Sequence, residues 1–386
     1  MLRRDFLGAL GLVPLVSALP NLAFAAAPAA DYRNLLVLIE LKGGNDGLNT
    51  LVPYADPNYY RLRPRLGIRR EEVLQLDERV GLHPALQALM PLWQNRELAI
   101  VQGVGYAQPN LSHFRSIEIW ESASASSEYL ADGWLARNFK AHPVPAAFAA
   151  DGVVIGSQDM GPLGGTGSRA IVLNNTQQFM RQARFADDAA AKSKNAALAH
   201  ILKVEGDIVQ AAAGLAGERS FRTEFPQGPF GNALKTAANV VSGKSGVAVV
   251  RVTLNGFDTH NGQPNTQQRL LKELAEGLAA FKSAMQEIAR WDSTMIMTYA
   301  EFGRRPQENG SLGTDHGTAN AHFVLGGKVQ GGLYGQAPSL SQLEGGNMLH
   351  SVDFRRLYAT VIEKWWGLDA RGVLNGKFPG LDLLRV

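Results

Sequence analysis

The sequence predicts an α/β fold in which a largely parallel sheet is covered by helices on both faces. The first observation is a series of continuous apolar runs of strand length, which are typical of strands buried on both sides. The second is the amphipathic helical pattern between several of these runs. Strands that alternate with such helices form parallel sheets with a helical layer on each face. The clearest helix has apolar residues spaced by threes and fours, at Leu270, Leu271, Leu274, Leu278, Phe281, Met285 and Ile288.

Six strands are predicted from the apolar runs. The first covers residues 35–41 and ends abruptly in the polar loop Lys42-Gly43-Gly44-Asn45-Asp46-Gly47. The second covers residues 98–102 and leads, through a glycine-containing turn, to a helix from about Ser112 through Trp120. The other predicted strands are residues 153–155, 247–254, 295–299 and 322–325.

The first 25 residues have the pattern of an export signal. The pair Arg3-Arg4 precedes an apolar run from Leu7 to Leu22 and the small-residue cleavage site Ala23-Phe24-Ala25. This order predicts cleavage after that site and export of the folded chain by the twin-arginine translocase, to the periplasm or the cell exterior. A buried N-terminal helix or a membrane anchor is the alternative, but the run contains two prolines and is shorter than the roughly 20 apolar residues of a stable span.

We expect residues 26–386 to form one domain with a helical insertion at about 183–246. That segment is rich in alanine and contains no run comparable to the predicted strands. The net charge of the whole chain is +3, which gives no indication of nucleic-acid binding. The sequence has no cysteine, which excludes disulfides and thiolate ligands, so stability must come from a conventional apolar core.

Acidic and imidazole side chains occur next to the predicted strands. Loops that leave the carboxyl ends of parallel strands meet at one edge of a sheet, so we expect these groups to converge. Asp258 and His260 project on the same side if the backbone stays extended. Converging carboxylates and imidazoles need a cation, and a mixed nitrogen and oxygen set suits Zn²⁺ or Mn²⁺, with Mg²⁺ or Ca²⁺ if oxygen dominates. The predicted metal ligands are Asp46, Asp258, His260, Glu301, Asp315 and His316.

Each of these residues also has a purely structural interpretation. Asp46 fits turn chemistry, because Asn, Asp and Gly tolerate positive φ. Asp258 could cap a helix beside a hydrogen-bonded His260. Glu301 could form an ion pair with Arg304 or its neighbour. The occurrence of such groups at several strand ends favours a metal site over these separate roles.

A second candidate group lies at the start of the helix predicted from Ser112. Serine is a preferred helix N-cap, and this role alone explains the residue. A helix N-terminus also offers free backbone N–H groups to an anion, and a nearby cation lowers the pKa of a hydroxyl enough to make it a nucleophile. We therefore predict Ser112 as a candidate nucleophile, with His113 and Arg115 as contacts of the anionic group.

Eight short motifs are distributed along the chain. They are Arg3-Arg4, Gly43 to Asn49, His83 to Leu86, Gly103 to Tyr106, Ser112 to Ser116, Gly256 to His260, Glu301 to Arg304 and Thr314 to Thr318. Together they resemble domain of unknown function 1501, a bacterial family of exported proteins. The resemblance extends over essentially the whole chain after the signal segment and implies an alkaline-phosphatase-like or sulfatase-like fold.

The wider superfamily implied by this resemblance holds two divalent metals at strand ends. By that resemblance, Asp46 matches the ligand after the first strand. Asp258, His260 and His316 look like the ligands of one metal, and Glu301 takes the place of an aspartate of the second.

Two departures from the superfamily pattern limit this comparison. Phe302 stands where a histidine is usual, so the second metal site would lose an imidazole. Ser112 matches the nucleophile at a helix start, but it lacks the Cys/Ser-x-Pro-x-Arg context required for formylglycine. A sulfatase of the common type is therefore disfavoured.

The leading hypothesis is a metal-dependent hydrolase of phosphate or sulfate esters, acting on an anionic small molecule or an envelope or extracellular polymer. The alternative is a non-catalytic exported protein that binds an anionic glycan or a protein partner on the same fold. A phosphate-moving isomerase or mutase fits export poorly, because its metabolites are intracellular. Replacement of Ser112 by alanine separates the first two hypotheses, since only an enzyme would lose turnover.

Overall fold

The structure of the chain is a computed structural model that describes residues 30–173 and 219–385. The predicted signal segment and the greater part of the predicted helical insertion lie outside these residues. Between residues 219 and 246 the insertion contains one α-helix, Pro229–Val241. Within the described ranges, none of the helices combines the length and the apolar character needed to cross a bilayer.

The described residues form sixteen strands and eight α-helices. The strands are β1 (Leu35–Lys42), β2 (Leu51–Val52), β3 (Leu74–Gln75), β4 (Gly81–Leu82), β5 (Leu98–Gly105), β6 (Ala150–Ile155), β7 (Ala170–Leu173), β8 (Val247–Asn255), β9 (Thr294–Tyr299), β10 (Gly303–Glu308), β11 (Thr314–Gly317), β12 (Asn320–Gly326), β13 (Gly332–Tyr334), β14 (Leu343–Glu344), β15 (Asn347–Met348) and β16 (Val352–Asp353). The α-helices are α1 (Gly47–Thr50), α2 (Pro57–Leu62), α3 (Met90–Gln94), α4 (His113–Ser122), α5 (Trp134–Ala141), α6 (Pro229–Val241), α7 (Gln263–Glu287) and α8 (Arg355–Ala359). Short 3₁₀ helices cover Pro84–Leu89, Gly161–Leu163 and Trp291–Ser293, and a π-helix covers Thr360–Trp365.

A nine-stranded sheet lies at the centre, in the order β13-β5-β12-β9-β1-β8-β6-β7, with β16 beside β5. β1 pairs in parallel with β8 and β9, and β8 pairs in parallel with β6. β12 is the exception, because it runs antiparallel to β5 on one side and to β9 on the other. The predicted α/β class with a largely parallel sheet is confirmed. The six predicted strands lie within β1, β5, β6, β8, β9 and β12.

Alternate residues of β1 face opposite helical layers. Leu35, Val37 and Ile39 pack in a core with α6 and α7, whereas Leu36 and Leu38 pack in a second core with α4, α5 and α8. All five side chains are buried. Helices on both faces explain why the strand sequence is a continuous apolar run and not an alternating one.

A buried group of ionisable side chains connects the sheet to α4. Arg251 on β8 donates through Nη2 to Oε2 of Glu40 on β1 (2.9 Å) and to Oε1 of Glu121 on α4 (3.1 Å). Its Nε donates to the hydroxyl of Tyr299 on β9 (2.8 Å). Burial raises the pKa of Glu121 to about 8, although the charge of Arg251 opposes that shift. These contacts fix the position of α4, whose first residue is His113.

β10 and β11 form an antiparallel hairpin that the sequence pattern does not predict, because β10 is mostly polar. In its register Arg304 stands opposite His316. The hairpin follows β9 and projects at the edge of the sheet where the parallel strands end. It therefore carries Asp315 and His316 to the site that the sequence predicts.

Candidate metal centre

Three segments bring imidazoles and a carboxylate to the carboxyl edge of the sheet. Asp258 and His260 lie in the loop after β8, and His113 begins α4, which follows β5. His316 lies on β11 in the hairpin after β9. Because β5, β8 and β9 run in the same direction, the loops that follow them open at one edge, as ligand-binding loops do in open α/β sheets.

The polar atoms of these four side chains face one another at short distances. Oδ1 of Asp258 lies 3.1 Å from Nε2 of His260 and 3.3 Å from Nε2 of His316. Oδ2 of Asp258 lies 3.5 Å from Nε2 of His113. The Nε2 atoms of His260 and His316 are 2.9 Å apart. His113, Asp258 and His316 form a group that can hold a metal ion, and we call these three with His260 the histidine cluster.

The other ring nitrogen of each imidazole meets an oxygen acceptor. The pairs are Nδ1 of His316 with the Leu111 carbonyl (2.8 Å), Nδ1 of His113 with Oε1 of Glu301 (2.9 Å) and Nδ1 of His260 with Oδ1 of Asp315 (3.3 Å). Because carbonyl and carboxylate oxygens accept, the tautomer that is protonated at Nδ1 satisfies each of these contacts and leaves Nε2 with a lone pair for a cation. Such outer contacts are the usual means by which a protein orients metal-binding imidazoles.

Neighbouring groups shift the pKa values of the cluster in different directions. The hydrogen bond with Glu301 raises the pKa of His113, against the effect of burial. Burial lowers the pKa of His316. Burial alone would raise the pKa of Asp258, but the hydrogen bond and the charge of Arg304 hold it below the usual value. Asp258 is therefore ionised at neutral pH, as a cation ligand must be.

Arg304 organises the site from beneath, a role that sequence reasoning missed. Its buried guanidinium donates through Nη2 to Oδ1 of Asp258 (2.7 Å) and to the carbonyls of Gly43 and Phe257. Its Nε donates to the carbonyl of Gly44 (2.7 Å). One side chain thus ties the loop after β1 to the loop after β8. The sequence offered one indication of this role, because Arg304 follows β9 and Glu301 closely. The sequence pattern, however, relates this arginine only to Glu301.

Glu301 contacts an imidazole and not an arginine. Its Oε1 accepts hydrogen bonds from Nδ1 of His113 and from the backbone N–H of Gly43, both at 2.9 Å. Its Oε2 is buried and has no hydrogen-bond partner among the described residues. Arg304, the sequence-based alternative partner, pairs with Asp258 instead. The structure therefore places Glu301 behind His113, outside the group of converging ligand atoms.

Phe302 packs against two of the cluster imidazoles. Its ring centroid lies 4.4 Å from that of His316 and 4.9 Å from that of His113. The side chain is buried. An apolar ring in this position restrains both imidazoles by packing and offers no ligand of its own.

Asp46 lies in a separate buried ion pair. Its Oδ2 and Oδ1 accept from Nη1 and Nη2 of Arg63 at 2.6 and 2.9 Å. Oδ2 also accepts from Nε2 of Gln263 (2.5 Å), and Oδ1 caps α1 by accepting from the N–H of Leu48 (3.1 Å). These contacts are those of a capped turn, and Asp46 is not among the ligand atoms that converge in the histidine cluster.

Asp315 and Ser112 lie at the margin of the histidine cluster. The Asp315 carboxylate is 56% exposed and contacts Nδ1 of His260 but not the cluster's Nε2 atoms in any hydrogen bond of the described residues. Ser112 is exposed and occupies the N-cap position of α4, yet its side chain makes no capping hydrogen bond. It lies between Leu111, whose carbonyl binds His316, and His113 itself.

Arg115, which the sequence predicts as a contact of the anionic group, forms its interactions away from the histidine cluster. Its guanidinium carbon lies 3.8 Å from the ring centroid of Tyr129. Because its Nη atoms are used within α4 and the following loop, the predicted role of Arg115 at an anion finds no support in this geometry. Its hydrogen-bond acceptors are Glu118 Oε2 and the carbonyls of Ala125, Ser126 and Glu128.

Comparisons with known proteins agree with the motif resemblance. A family profile described as "Protein of unknown function (DUF1501)" matches residues 33–377. No curated protein sequence matches the chain.

Several solved structures resemble the chain at low identity. The C-terminal periplasmic domain of EcEptC from Escherichia coli, in complex with Zn, is 9% identical, with a TM-score of 0.39 over 76% of this chain and 72% of that one. The phosphonate monoester hydrolase SpPMH from Silicibacter pomeroyi is 10% identical, with a TM-score of 0.40 over 90% and 76%. Alkaline phosphatase from the Antarctic bacterium TAB5 is 10% identical, with a TM-score of 0.31 over 78% and 94%.

Proposed function

Because the chain belongs to the DUF1501 family of proteins of unknown function, we propose its activity from its own site: a metal-dependent hydrolase of phosphate or sulfate esters. The proposed substrate is an anionic small molecule or a polymer of the cell envelope or exterior. The proposed route out of the cell is the twin-arginine translocase, on the basis of Arg3-Arg4 and the apolar run that follows.

The observation that carries the proposal is the convergence of three imidazole Nε2 atoms on the Asp258 carboxylate. Two Nε2 lone pairs 2.9 Å apart, on His260 and His316, repel each other unless a cation or a proton lies between them. Nitrogen-rich ligand sets that include a carboxylate suit Zn²⁺ or Mn²⁺, and Mg²⁺ or Ca²⁺ suit sets dominated by oxygen. The donor set therefore fits a transition-metal ion better than a hard cation.

The residues around the histidine cluster suit attack on an anionic ester. The chemistry that a divalent cation supplies when bound is polarisation of an ester oxygen and a lower pKa for a nearby hydroxyl or water. Ser112 offers an exposed hydroxyl directly before His113. The first turn of α4 contains no acidic residue and no side-chain cap, so its N–H groups remain available to an anion. Ser112 is accordingly the proposed nucleophile, and the start of α4 is the proposed anion contact.

A non-catalytic binding protein for an anionic glycan or a protein partner is the second candidate. It is favoured by Arg304, whose permanent positive charge already neutralises part of the Asp258 carboxylate. Phe302 also favours it, because an apolar ring fills the place of an imidazole in the superfamily pattern. In that case a bound cation would hold the loops in place without assisting any reaction.

Metal analysis of the purified protein tests the proposal first. Elemental mass spectrometry after purification without chelator should find about one equivalent of a transition metal, lost in Asp258→Ala/His260→Ala. The matched control is Asp369→Ala/His142→Ala, which removes an exposed carboxylate and an imidazole near each other at another place. Protein that takes up no metal even after reconstitution would exclude the proposed mechanism.

The variant Ser112→Ala then separates the two candidates. An enzyme that uses this hydroxyl should lose turnover of phosphate or sulfate esters by roughly 100-fold or more while it keeps its metal. The melting temperature should stay unchanged, because the hydroxyl caps nothing. Ser283→Ala, on the exposed face of α7, is the control. Full activity of Ser112→Ala would remove the nucleophile assignment, and the absence of any turnover in the metal-loaded wild type would favour the binding protein.

A further inference from the structure

Arg63 is a buried cation enclosed by oxygen atoms. Its side chain has no exposed surface, and it lies directly after α2. Five oxygens from four residues accept its N–H groups. They are Asp46 Oδ2 (2.6 Å) and Asn49 Oδ1 (2.6 Å) for Nη1, Asp46 Oδ1 (2.9 Å) and the Arg305 carbonyl (3.0 Å) for Nη2, and the Pro306 carbonyl (2.9 Å) for Nε.

This set of oxygens is the kind that a hard divalent cation takes. Ca²⁺ and Mg²⁺ are bound in proteins by carboxylate, amide and backbone carbonyl oxygens. All three types surround the guanidinium, and the only charged member among them is the buried Asp46 carboxylate. A buried carboxylate requires a positively charged partner, and here that partner is a side chain of the protein, Arg63, and not a bound ion.

The same carboxylate is connected to the histidine cluster through one glutamine. Nε2 of Gln263 donates to Oδ2 of Asp46 (2.5 Å). Its Oε1 accepts from the hydroxyls of Thr259 (3.1 Å) and Thr314 (2.7 Å). Thr259 lies between Asp258 and His260, and Thr314 is two residues before His316. Buried hydrogen bonds therefore connect the Asp46 carboxylate to both segments that carry the cluster's side chains, namely the loop after β8 and strand β11.

We propose that Arg63 is a built-in substitute for a second metal ion: it fills an oxygen-lined cation site at Asp46, so that the protein binds a single metal, at the histidine cluster. The superfamily resemblance implies a second ion with Asp46 and Glu301 as ligands, and the residues present do not fit it. Asp46 is saturated by Arg63 and its neighbours, and Oε1 of Glu301 is engaged by His113 and Gly43. The single-metal part of this inference depends on the proposed function, whereas the cation site at Asp46 does not.

The test is to remove the guanidinium and offer the site a free ion. Arg63→Ala in the full-length protein leaves Asp46 unpaired, and its melting temperature should fall by roughly 10 °C. Millimolar CaCl₂ should recover at least half of that loss in Arg63→Ala and change the wild type by less than about 2 °C. The double variant Arg63→Ala/Asp46→Asn lacks the carboxylate and should show no recovery. A calcium response that is the same in both variants, or absent from Arg63→Ala, would overturn the assignment.

Metal counting in the wild type gives a second measurement if Arg63→Ala does not fold. Dialysis against excess Mn²⁺ should leave one tightly held ion, and Asp46→Glu should not change that number. Two tightly held ions in the wild type would overturn the inference. Failure of the proposed function has a different signature: a wild type without any bound ion, together with calcium recovery in Arg63→Ala, would reject the metal-dependent hydrolase and retain the cation site at Asp46.

Discussion

Nδ1 of His113 lies 2.9 Å from Oε1 of Glu301, and the second oxygen of that carboxylate is buried without a hydrogen-bond partner among the described residues. The pair fixes the tautomer of His113, because Nδ1 carries the proton that Glu301 accepts and Nε2 faces Asp258. Glu301 is thus a positioning residue for an imidazole in this geometry. The sequence alone suggested the more direct role of metal ligand.

Glu301→Gln should weaken metal binding without unfolding the protein. The amide oxygen can still accept from His113, but the loss of charge lowers the basicity of Nε2, and outer contacts of this kind account for about 10- to 100-fold in affinity. Competition with a chromophoric chelator measures the change. Glu118→Gln, an exposed glutamate of the same helix as His113, is the control and should have wild-type affinity. Equal affinities in the two variants would contradict the positioning role.

Asp258→Asn and Asp315→Asn should differ strongly in metal affinity. Asp258 faces three Nε2 atoms, so its loss should weaken binding by roughly 100-fold or more. Asp315 contacts only Nδ1 of His260 within the cluster and is more than half exposed, so its loss should cost roughly threefold or less. Isothermal titration of both variants makes the comparison. An equal loss in both would indicate that Asp315 is itself a ligand.

Arg115→Met should destabilise the protein and leave the Michaelis constant for an anionic ester unchanged. The arginine supports the loop after α4 through the carbonyls of Ala125, Ser126 and Glu128, and loss of these bonds should cost about 1–3 kcal/mol. Urea unfolding and steady-state kinetics provide the two readouts. A raised Michaelis constant at unchanged stability would instead support the anion contact that the sequence predicts.

The stability of the protein should fall between about pH 5 and pH 8 because of Glu121. Its folded pKa of about 8 is above the ordinary value of 4.5, so the folded state binds a proton that the unfolded state has released. The stabilisation is complete below pH 4.5 and is lost as the pH rises through about 8. We expect the loss to be on the order of 2 kcal/mol, since Glu121 and Glu40 share Arg251.

Glu121→Gln keeps a neutral side chain of the same shape and should flatten this part of the stability profile. Urea unfolding at several pH values measures the effect. Glu118→Gln, one turn earlier on α4 and exposed, should keep the wild-type profile. A Glu121→Gln profile as steep as that of the wild type would assign the pH dependence to another group.

The fold was predictable where burial leaves a local pattern. β1 and β8 are buried on both faces, so their sequences are continuous apolar runs with clear ends. The direction of β12 was not predictable, because an apolar run is the same whether the strand runs parallel or antiparallel to its neighbours. The hairpin of β10 and β11 was missed because β10 is mostly polar in sequence, although most of its residues are buried in the structure.

The residue types of the candidate site were predictable from the sequence, but the partners of several of its side chains were not. The side chains of Asp258 and His260 do meet, as the i and i+2 spacing predicts, although the N–H of Thr259 donates to the Phe257 carbonyl and the backbone turns there. The partners of Asp46 and Glu301 depend on tertiary packing: Arg63 reaches the first, and His113 reaches the second. A single sequence contains no local signal for such pairs, because the partners belong to elements that approach only when the sheet forms.

The contacts around the histidine cluster join parts of the chain that are remote in sequence. His113 and Glu301 are 188 positions apart, and His316 and Leu111 are 205 apart. Long-range contacts of this kind form late in folding. The long loops between the partners must close first, and this costs chain entropy before any contact can stabilise the fold. Ion capture would therefore come at the end of folding, after the last strand has joined the sheet. The metal content of a sample would then measure the fraction of fully folded molecules, because a partly folded chain lacks the complete set of ligands.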